Sequence, residues 1–418
     1  MPRGLILSIG TGSGVENAIA KSIRQSNPEH VVFIASIQSI PTLEKVWVAL
    51  GKRLEGYETL TVKDEGDVEE CYLAAIDSIK SLQKKGLSSS EIALDFTSGT
   101  KAMSAGAVLG GSALELSSFV YVGGRRDENG RVITGTERLL SLDPLEPWID
   151  RRVKLIATLF NVYQFRSCLK LFDEIGERVR GAEGVKELDA GRKLVEAYDA
   201  WDKFDHRAAQ NRFQEITSLS LIRRWTIDWG KNREYLFGLL RDKDAWEKEK
   251  DLRQRFSKFL LFDLLLNADR RAAEGKFDDA VGRLYRLTEM LAQAQLARHE
   301  IDSSNVDLNK VPENLRSDLE VLRTSRTSKI ELPLFKSYEL LSQMGEKLGD
   351  AFVSDRHLQN YLTTRNNSIL AHGTEPVKEK DYRELRNACV KLMLLERPEY
   401  EWQKLTNGGK FASLEMTP

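Results

Sequence analysis

Short apolar runs alternate with amphipathic stretches along the first 145 residues. Apolar runs of about five residues are typical of buried parallel strands, whereas apolar positions recurring every three or four residues predict helices. The alternation therefore predicts an α/β domain, a Rossmann-like and mostly parallel sheet with helices on both faces. The predicted strands cover residues 5–9, 31–35, 58–62, 91–95 and 118–122, and the predicted helices cover residues 15–25, 42–54, 69–85 and 101–114.

The pattern changes after this region. Residues 123–130 begin and end with glycine, which predicts a hairpin turn into a strand over residues 134–140 and an antiparallel sheet edge. Pro144 and Pro147 mark the predicted domain boundary. Because helical periodicity then continues to about residue 400 with little strand signal, we expect an all-α remainder. The predicted parts are an α/β domain over residues 1–147, a helical middle region over residues 148–265 and a C-terminal helical domain over residues 266–418.

Local patterns divide the helical part further. Residues 201–208 and 274–280 resemble each other, and both are typical of the turn in a helical hairpin. Residues 181–184 and 218–221 are predicted loops. Residues 308–329 are polar and contain Pro312, which indicates a loop or a short insert.

Composition limits the possible functions. Hydrophobic residues make up 41% of the 418 positions and charged residues 30%, which suits a soluble globular protein. The net charge is −1, so any nucleic-acid binding must come from local clusters. Three distant cysteines, Cys71, Cys168 and Cys389, indicate reduced thiols and a cytoplasmic location. We expect no signal peptide. We expect no membrane span, because no apolar run approaches the roughly 18 residues that a span requires. We expect no metal site, because no two of the five histidines have metal-ligand spacing.

Two glycine- and hydroxyl-rich loops follow predicted strands. The first contains Gly10, Thr11, Gly12 and Ser13, and the second contains Thr97, Ser98, Gly99, Thr100 and Lys101. In open α/β sheets, ligands bind outside the carboxyl ends of the strands. Glycines allow close backbone approach, free N–H groups lie at a helix start, and the lysine adds a cation. Together the loops predict a cradle for phosphate groups.

Other interpretations of these loops fit less well. A nicotinamide dinucleotide site requires Gly-x-Gly-x-x-Gly and an acidic residue at the end of the second strand, but that strand ends Ala35-Ser36. A P-loop requires Gly-Lys-Ser/Thr, and no lysine follows Gly14. The loops can also be simple strand-to-helix turns, with the hydroxyls of Thr11, Ser13, Thr97 and Thr100 serving as helix caps.

A second candidate site lies near the C-terminus. Arg365 and His372 are seven positions apart, so on a helix they share one face, with Asn366 at its edge. Histidine can act as acid or base near neutral pH, and arginine can hold a phosphate and its developing charge. These groups suit metal-independent RNA cleavage, in which the ribose 2′-OH is the nucleophile. The alternative is a pair of solvated surface residues.

The two sites resemble motifs of known families. Residues 95–103, Asp-Phe-Thr-Ser-Gly-Thr-Lys-Ala-Met, resemble the Asp-x-Thr-x-Gly-Thr-Lys-x-Met signature of CARF domains, the sensors of type III CRISPR immunity. Arg365, Asn366 and His372 are similar to the Arg-x4–6-His motif of HEPN ribonucleases, and residues 277–289 are similar to the opening HEPN helix. The order of the parts resembles CRISPR-associated CARF–HEPN ribonucleases. Ser98 departs from the pattern, since glycine is common there.

This resemblance implies a function. The CARF domain would bind a cyclic oligoadenylate at the two-fold interface of a homodimer, through the two loops. Binding would activate an endoribonuclease site made from two copies of Arg365, Asn366 and His372, acting on single-stranded RNA in antiviral defence without a cofactor. Slow cleavage of the ring at the CARF site is a further expectation. The competing hypothesis is a non-catalytic adaptor in which the HEPN-like half only dimerises. Ring size and RNA sequence preference are not determined by the sequence.

Overall fold

A computed structural model gives the fold of this chain. It describes residues 2–128, 132–133, 135–179, 185–216, 224–249, 251–323, 328–366, 374–396 and 399–416. The chain divides into two compact units, Met1–Arg151 and Arg152–Pro418. The first is α/β and the second is mainly helical, as the sequence predicts.

The first unit is a six-stranded sheet with helices on both faces. Its strand order is β3-β2-β1-β4-β5-β6, and all neighbours are parallel except β5 and β6. The strands are β1 (Gly4–Ile9), β2 (His30–Ser36), β3 (Glu58–Val62), β4 (Ile92–Asp95), β5 (Ser118–Gly123) and β6 (Arg138–Leu142). The helices are α1 (Val15–Ser26), α2 (Thr42–Leu50), α3 (Val68–Lys84) and α4 (Lys101–Ala113).

Side-chain alternation along the central strand builds a core on each face. Leu5, Leu7 and Ile9 of β1 pack in one buried cluster with residues of α1 and α2. Ile6 belongs to the opposite cluster, which contains residues of α3 and α4. Because β1 is covered on both faces, all six of its residues are buried, and its sequence is a continuous apolar run rather than an alternating one.

The predicted boundaries shift at two positions. Helix α2 ends at Leu50, not at Leu54, because Gly51 takes a left-handed conformation with φ of 77° and its N–H bonds the carbonyl of Trp47. The predicted antiparallel strand occurs as β6, but it starts at Arg138 rather than at residue 134, which lies outside the described residues. The predicted antiparallel edge itself is confirmed.

Glycines allow α3 and α4 to pack closely. A Cβ atom at Gly106 would lie 2.6 Å from the Cβ of Cys71 and 2.8 Å from the carbonyl oxygen of Val68. A Cβ atom at Gly110 would lie 2.7 Å from that of Ala75. These distances are shorter than van der Waals contact, so the two helices meet through backbone rather than through side chains.

The second unit consists of packed helices. Helix α5 (Leu145–Asn161) crosses the unit boundary, so residues 145–148 of the predicted boundary segment form its first turn. The remaining helices are α6 (Phe165–Arg178), α7 (Val185–Asp202), α8 (His206–Glu215), α9 (Gly230–Glu249), α10 (Lys258–Ala273), α11 (Phe277–Arg298), α12 (Arg316–Glu320), α13 (Leu334–Gln343), α14 (Lys347–Ser354), α15 (Arg356–Asn366), α16 (Glu379–Glu396) and α17 (Glu399–Gly409).

Some local predictions for this unit are confirmed and one needs correction. Both predicted hairpin turns occur, between α7 and α8 and between α10 and α11. Residues 308–320 form two 3-10 turns and the short helix α12, consistent with a short insert. A small sheet was not expected: β7 (Trp225–Thr226) pairs antiparallel with β8 (Glu415–Met416). Two-residue strands leave too short a pattern to stand out from the sequence. The predicted loops at 181–184 and 218–221 lie outside the described residues.

A buried polar network joins α7 and α8 to α10. The carboxylate of Asp263 accepts a 3.0 Å hydrogen bond from the indole of Trp201 and lies 2.8 Å from Nε2 of His206. Arg270, which is 3% exposed, donates to Asp202 at 2.8 Å. Because a buried charge is stable only with partners, this network fixes the three helices relative to each other.

The three cysteines are free and buried. Burial raises the pKa of the Cys389 thiol to about 11 and that of the Cys168 thiol to about 12. Inert, reduced thiols therefore act as small core residues. None of the helices built from the described residues has both the length and the apolar character needed to cross a membrane.

We predict that Gly106→Ala destabilises the protein by about 1–3 kcal/mol, the usual cost of overpacking, because the added methyl group meets the backbone of α3. Gly176→Ala in α6 is the matched control, since open space surrounds that position. The control should gain about 0.5–1 kcal/mol from the better helix propensity of alanine. Urea unfolding measures both, and equal midpoints for the two variants would contradict the close packing of α3 and α4.

Candidate functional sites

The two glycine-rich loops lie side by side at the carboxyl edge of the sheet. They follow β1 and β4, which are neighbours in the sheet. The chain leaves β1 for α1 on one face and leaves β4 for α4 on the other face. This is the point where strand order reverses, and a crevice for ligands forms there in open α/β sheets.

The backbones of the two loops are in direct contact. A Cβ atom at Gly10 would lie 2.8 Å from the backbone nitrogen of Gly99. Gly99 itself has φ of +100°, a conformation that favours glycine. The Ser8 hydroxyl, at the end of β1, donates a hydrogen bond to the carbonyl of Ser98 and so links the second loop to the strand that precedes the first loop. Any larger residue at position 10 would separate the loops.

Several predicted hydroxyls have structural partners. The Thr97 hydroxyl accepts the Val122 N–H at 2.7 Å. The Thr100 hydroxyl accepts the Met103 N–H at 3.1 Å as the N-cap of α4, and it also donates to the carbonyl of Glu65. Ser98 is 5% exposed. The Thr100 hydroxyl therefore caps α4, as the alternative interpretation predicts, whereas the Thr97 hydroxyl binds strand β5 rather than a helix start.

Only some of the residues predicted for the phosphate cradle are exposed. The exposed members are Thr11, Gly12, Ser13, Gly99, Thr100 and Lys101. Lys101 is the first residue of α4, and within the described ranges it forms no ion pair. A cation, the hydroxyls of Thr11 and Ser13, and the glycine backbone at two helix starts together fit a phosphate or ribose ligand.

Asp95 supports the second loop from beneath. Its carboxylate accepts the Thr97 N–H at 2.8 Å, which fixes the turn that follows β4. Asp95 is 3% exposed, and burial raises the pKa of its carboxyl group, against the opposing effect of the hydrogen bond from Thr97. This side chain is a support for the loop rather than a base that meets solvent.

An aromatic pair borders the second loop, and sequence analysis missed it. The rings of Phe96 and Tyr121 are stacked, with centroids 5.7 Å apart. Arg126 donates to the Tyr121 hydroxyl at 3.0 Å. The signal available in the sequence was the position of Arg126 just after β5, the strand beside β4. Base rings stack on aromatic and guanidinium planes, so this border suits an adenine-containing ligand.

The C-terminal motif is only partly within the described residues. Arg365 and Asn366 are the last two residues of α15, and the structure describes their backbone but not their side chains. His372 lies outside the described residues. The shared helical face predicted for Arg365 and His372 therefore stays a prediction.

The described residues that flank this motif are anchored on both sides. Upstream, Leu358 and Leu362 of α15 are at most 1% exposed, and the Tyr361 hydroxyl donates to Glu384 of α16. Downstream, the Val377 N–H lies 3.3 Å from the Asp278 carboxylate at the start of α11. These contacts attach Tyr361 to α16 and Val377 to the start of α11.

A second carboxylate fixes the start of α16. Asp269 of α10 accepts two hydrogen bonds from Arg386, at 2.6 and 2.7 Å, and one from the Tyr382 hydroxyl at 2.6 Å. Burial, together with the Asp269 carboxylate, raises the pKa of Tyr382 above its usual range. A bidentate arginine pair of this kind is geometrically specific. It positions the helix that follows the candidate catalytic segment.

Comparison with known proteins gives the family. Residues 150–240 match the family model of the Csm6 6H domain, and residues 249–396 match that of the Csm6 HEPN domain, together more than half of the chain. The chain belongs to the Csm6 family. The CRISPR system endoribonuclease Csm6 of Thermus thermophilus is 26% identical over 390 residues, which cover 89% of this chain and 81% of that protein.

A solved structure supports the Csm6 fold along the whole chain. It is Enterococcus italicus Csm6 bound to cyclic hexa-2′-fluoro-hexa-dAMP. The match has a TM-score of 0.59 at 14% sequence identity and covers 98% of this chain and 99% of that chain. At this identity the likeness concerns the fold, which agrees with the predicted α/β domain followed by helical regions.

We predict that stability of the wild-type protein falls as the pH rises from about 4, the ordinary pKa of aspartate, through the raised pKa of Asp95, because the folded state holds that proton more tightly. Asp95→Asn keeps an acceptor for Thr97 and removes this dependence. The melting temperature of Asp95→Asn minus that of wild type should therefore be larger at pH 8 than at pH 5. Asp64→Asn, at a similar turn on the surface, is the control and should show no such trend.

Proposed function

We propose that this protein is a cyclic-oligoadenylate-activated, metal-independent endoribonuclease that cleaves single-stranded RNA in the cytoplasm during type III CRISPR antiviral defence. The observation that carries the proposal is the pair of Csm6 domain matches, of which the match over residues 249–396 is to the Csm6 HEPN domain. The name of the Thermus thermophilus relative, an endoribonuclease, supports the reaction. The ligand of the Enterococcus italicus structure supports the activator.

The proposed chemistry uses three side chains. His372 takes the proton from the 2′-OH nucleophile or gives a proton to the leaving 5′-oxygen, since imidazole exchanges protons near neutral pH. Arg365 holds the scissile phosphate and stabilises its developing charge. Asn366 orients the phosphate by hydrogen bonds. The products are a 2′,3′-cyclic phosphate and a 5′-hydroxyl, because the attacking oxygen belongs to the substrate itself.

We propose that the active form is a homodimer. One histidine cannot easily serve both the attacking and the leaving oxygen, whereas two copies across a two-fold axis can. The same symmetry suits a cyclic ligand made of identical units. The exposed edge formed by Thr11, Gly12, Ser13 and Lys101 would then face its counterpart on the partner across the ring. Slow cleavage of the bound ring at this edge is a further prediction.

His372→Ala should lower the activated RNA cleavage rate by roughly 10²–10⁴-fold, the usual contribution of general acid–base catalysis. Arg365→Ala should be similarly damaging. The controls are His357→Ala and Arg356→Ala. They change exposed residues at the start of α15, the helix that contains Arg365, and both variants should cleave like wild type. Cleavage of fluorescent single-stranded RNA with and without cyclic oligoadenylate gives the rates, and end analysis identifies the products. Wild-type protein that cleaves DNA equally, or that stops when a chelator is added, would contradict the proposed chemistry.

Lys101→Ala should raise the cyclic oligoadenylate concentration needed for half-maximal activity by about tenfold or more, because a charged hydrogen bond to phosphate contributes roughly 1.5–3 kcal/mol. The fully activated rate should change much less, since Lys101 lies in the first unit and the cleavage residues lie in the second. Lys45→Ala, at an exposed position of α2, is the matched control. A normal activation curve for Lys101→Ala would remove the phosphate-cradle interpretation.

A further inference from the structure

A groove in the helical unit has the chemistry of a single-stranded RNA site. It is a cavity of about 570 Å³ lined by residues of α9, the start of α10, and α17. Its charged lining residues are four cations and two carboxylates, Lys231, Arg241, Lys258, Lys404, Glu234 and Glu401. We call it the α9 groove. The chain as a whole carries a net charge of −1, so this excess of positive charge is local.

The cations of the α9 groove are accessible. Lys231 and Lys404 are exposed, and the Arg241 side chain is 68% exposed beside Asp242. Lys258 is the most restrained of the four, at 3.6 Å from Glu401. Exposed lysines and arginines along a groove attract a phosphate backbone and release its counterions when it binds.

An exposed aromatic ring stands at the edge of the same groove. Phe237 is 61% exposed although it lies in the middle of α9. It also lines a neighbouring cavity of about 440 Å³, together with Arg233. The ring therefore separates two cavities that both contain cationic side chains. Proteins that bind single strands without sequence preference combine these two elements, a cationic groove and an aromatic ring on which a base stacks.

The α9 groove lies away from the start of α16, the helix that follows the candidate catalytic segment. Helix α16 starts after the candidate catalytic segment, and its 18 residues extend about 27 Å before α17 begins beside the groove. A dinucleotide bound near the start of α16 would not span this length, whereas a longer strand would. The groove is therefore suited to hold the part of an RNA that flanks the cut.

We propose that the α9 groove is an accessory binding site for single-stranded RNA substrate, with Lys231, Arg241 and Lys404 contacting phosphates and Phe237 stacking on a base. This proposal deepens the ribonuclease function and rests on it. An apolar protein segment is a weaker fit, because four cationic side chains around one exposed ring favour an anionic, base-containing chain. The site would raise affinity for long RNA without taking part in bond cleavage.

The test compares activated cleavage of two RNAs, of roughly 4 and roughly 20 nucleotides, which bracket common single-strand site sizes. The variants are Lys231→Glu with Lys404→Glu, and separately Phe237→Leu, which keeps apolar area but removes the stacking face. Lys154→Glu with Lys170→Glu, at exposed positions of α5 and α6 outside the groove, is the charge-matched control. For the long RNA, we expect KM to rise about tenfold or more in the double variant and several-fold in Phe237→Leu, with kcat retained.

Two further readouts separate binding from a structural effect. The short RNA should be cleaved with unchanged kinetics by every variant, which shows that the catalytic segment is intact. The dependence of log KM on log salt concentration should become shallower by roughly 0.7 for each phosphate that the variant no longer neutralises. A KM of the double variant for long RNA equal to that of the control with Lys154→Glu and Lys170→Glu would overturn the accessory site and leave the ribonuclease function standing. If wild-type protein cleaves neither RNA, the proposed function itself fails.

Discussion

The buried ion network around Asp263 and Arg270 is the constraint on which the helical unit depends. Two carboxylates and one guanidinium lie almost wholly out of water, and Arg270 of α10 finds its partner Asp202 on another helix. Removing one partner of such a network typically costs about 3–5 kcal/mol, because a buried charge remains uncompensated. The arrangement of α7, α8 and α10 is therefore fixed within narrow limits.

This constraint explains why the helical part of the chain forms one compact unit. The Csm6 6H match ends at residue 240 and the HEPN match starts at residue 249, yet Asp202 in the first region pairs with Arg270 in the second. Arg270 also lies over the ring of Phe411, at 3.8 Å from its centroid, so the C-terminal segment packs on the same network. The middle helices are thus a structural support for the HEPN helices. The α9 groove lies on helices held by this support.

The two functional sites use backbone and side chains differently. At the sheet edge, two glycines bring two loops into contact, and the exposed ligand groups project from that backbone. In the helical unit, carboxylates on α10 and at the start of α11 hold the chain that follows the proposed catalytic segment. Rigid elements on both sides position a short reactive segment better than a free loop does. The proposed activator and RNA sites thus each rest on a framework fixed by buried contacts.

The sequence alone determined the order of elements and the chemistry of the motifs. Continuous apolar runs predicted the parallel strands, and two Gly-rich loops after β1 and β4 predicted the ligand edge, since such local signals depend only on neighbouring residues. Tertiary structure decided which hydroxyls are free: Thr97 and Thr100 are occupied by Val122 and by the start of α4. It also decided that Asp202 and Arg270, distant in sequence and of residue types common at surfaces, are buried partners. No local pattern encodes such a pairing, because it depends on how helices far apart in the chain pack together.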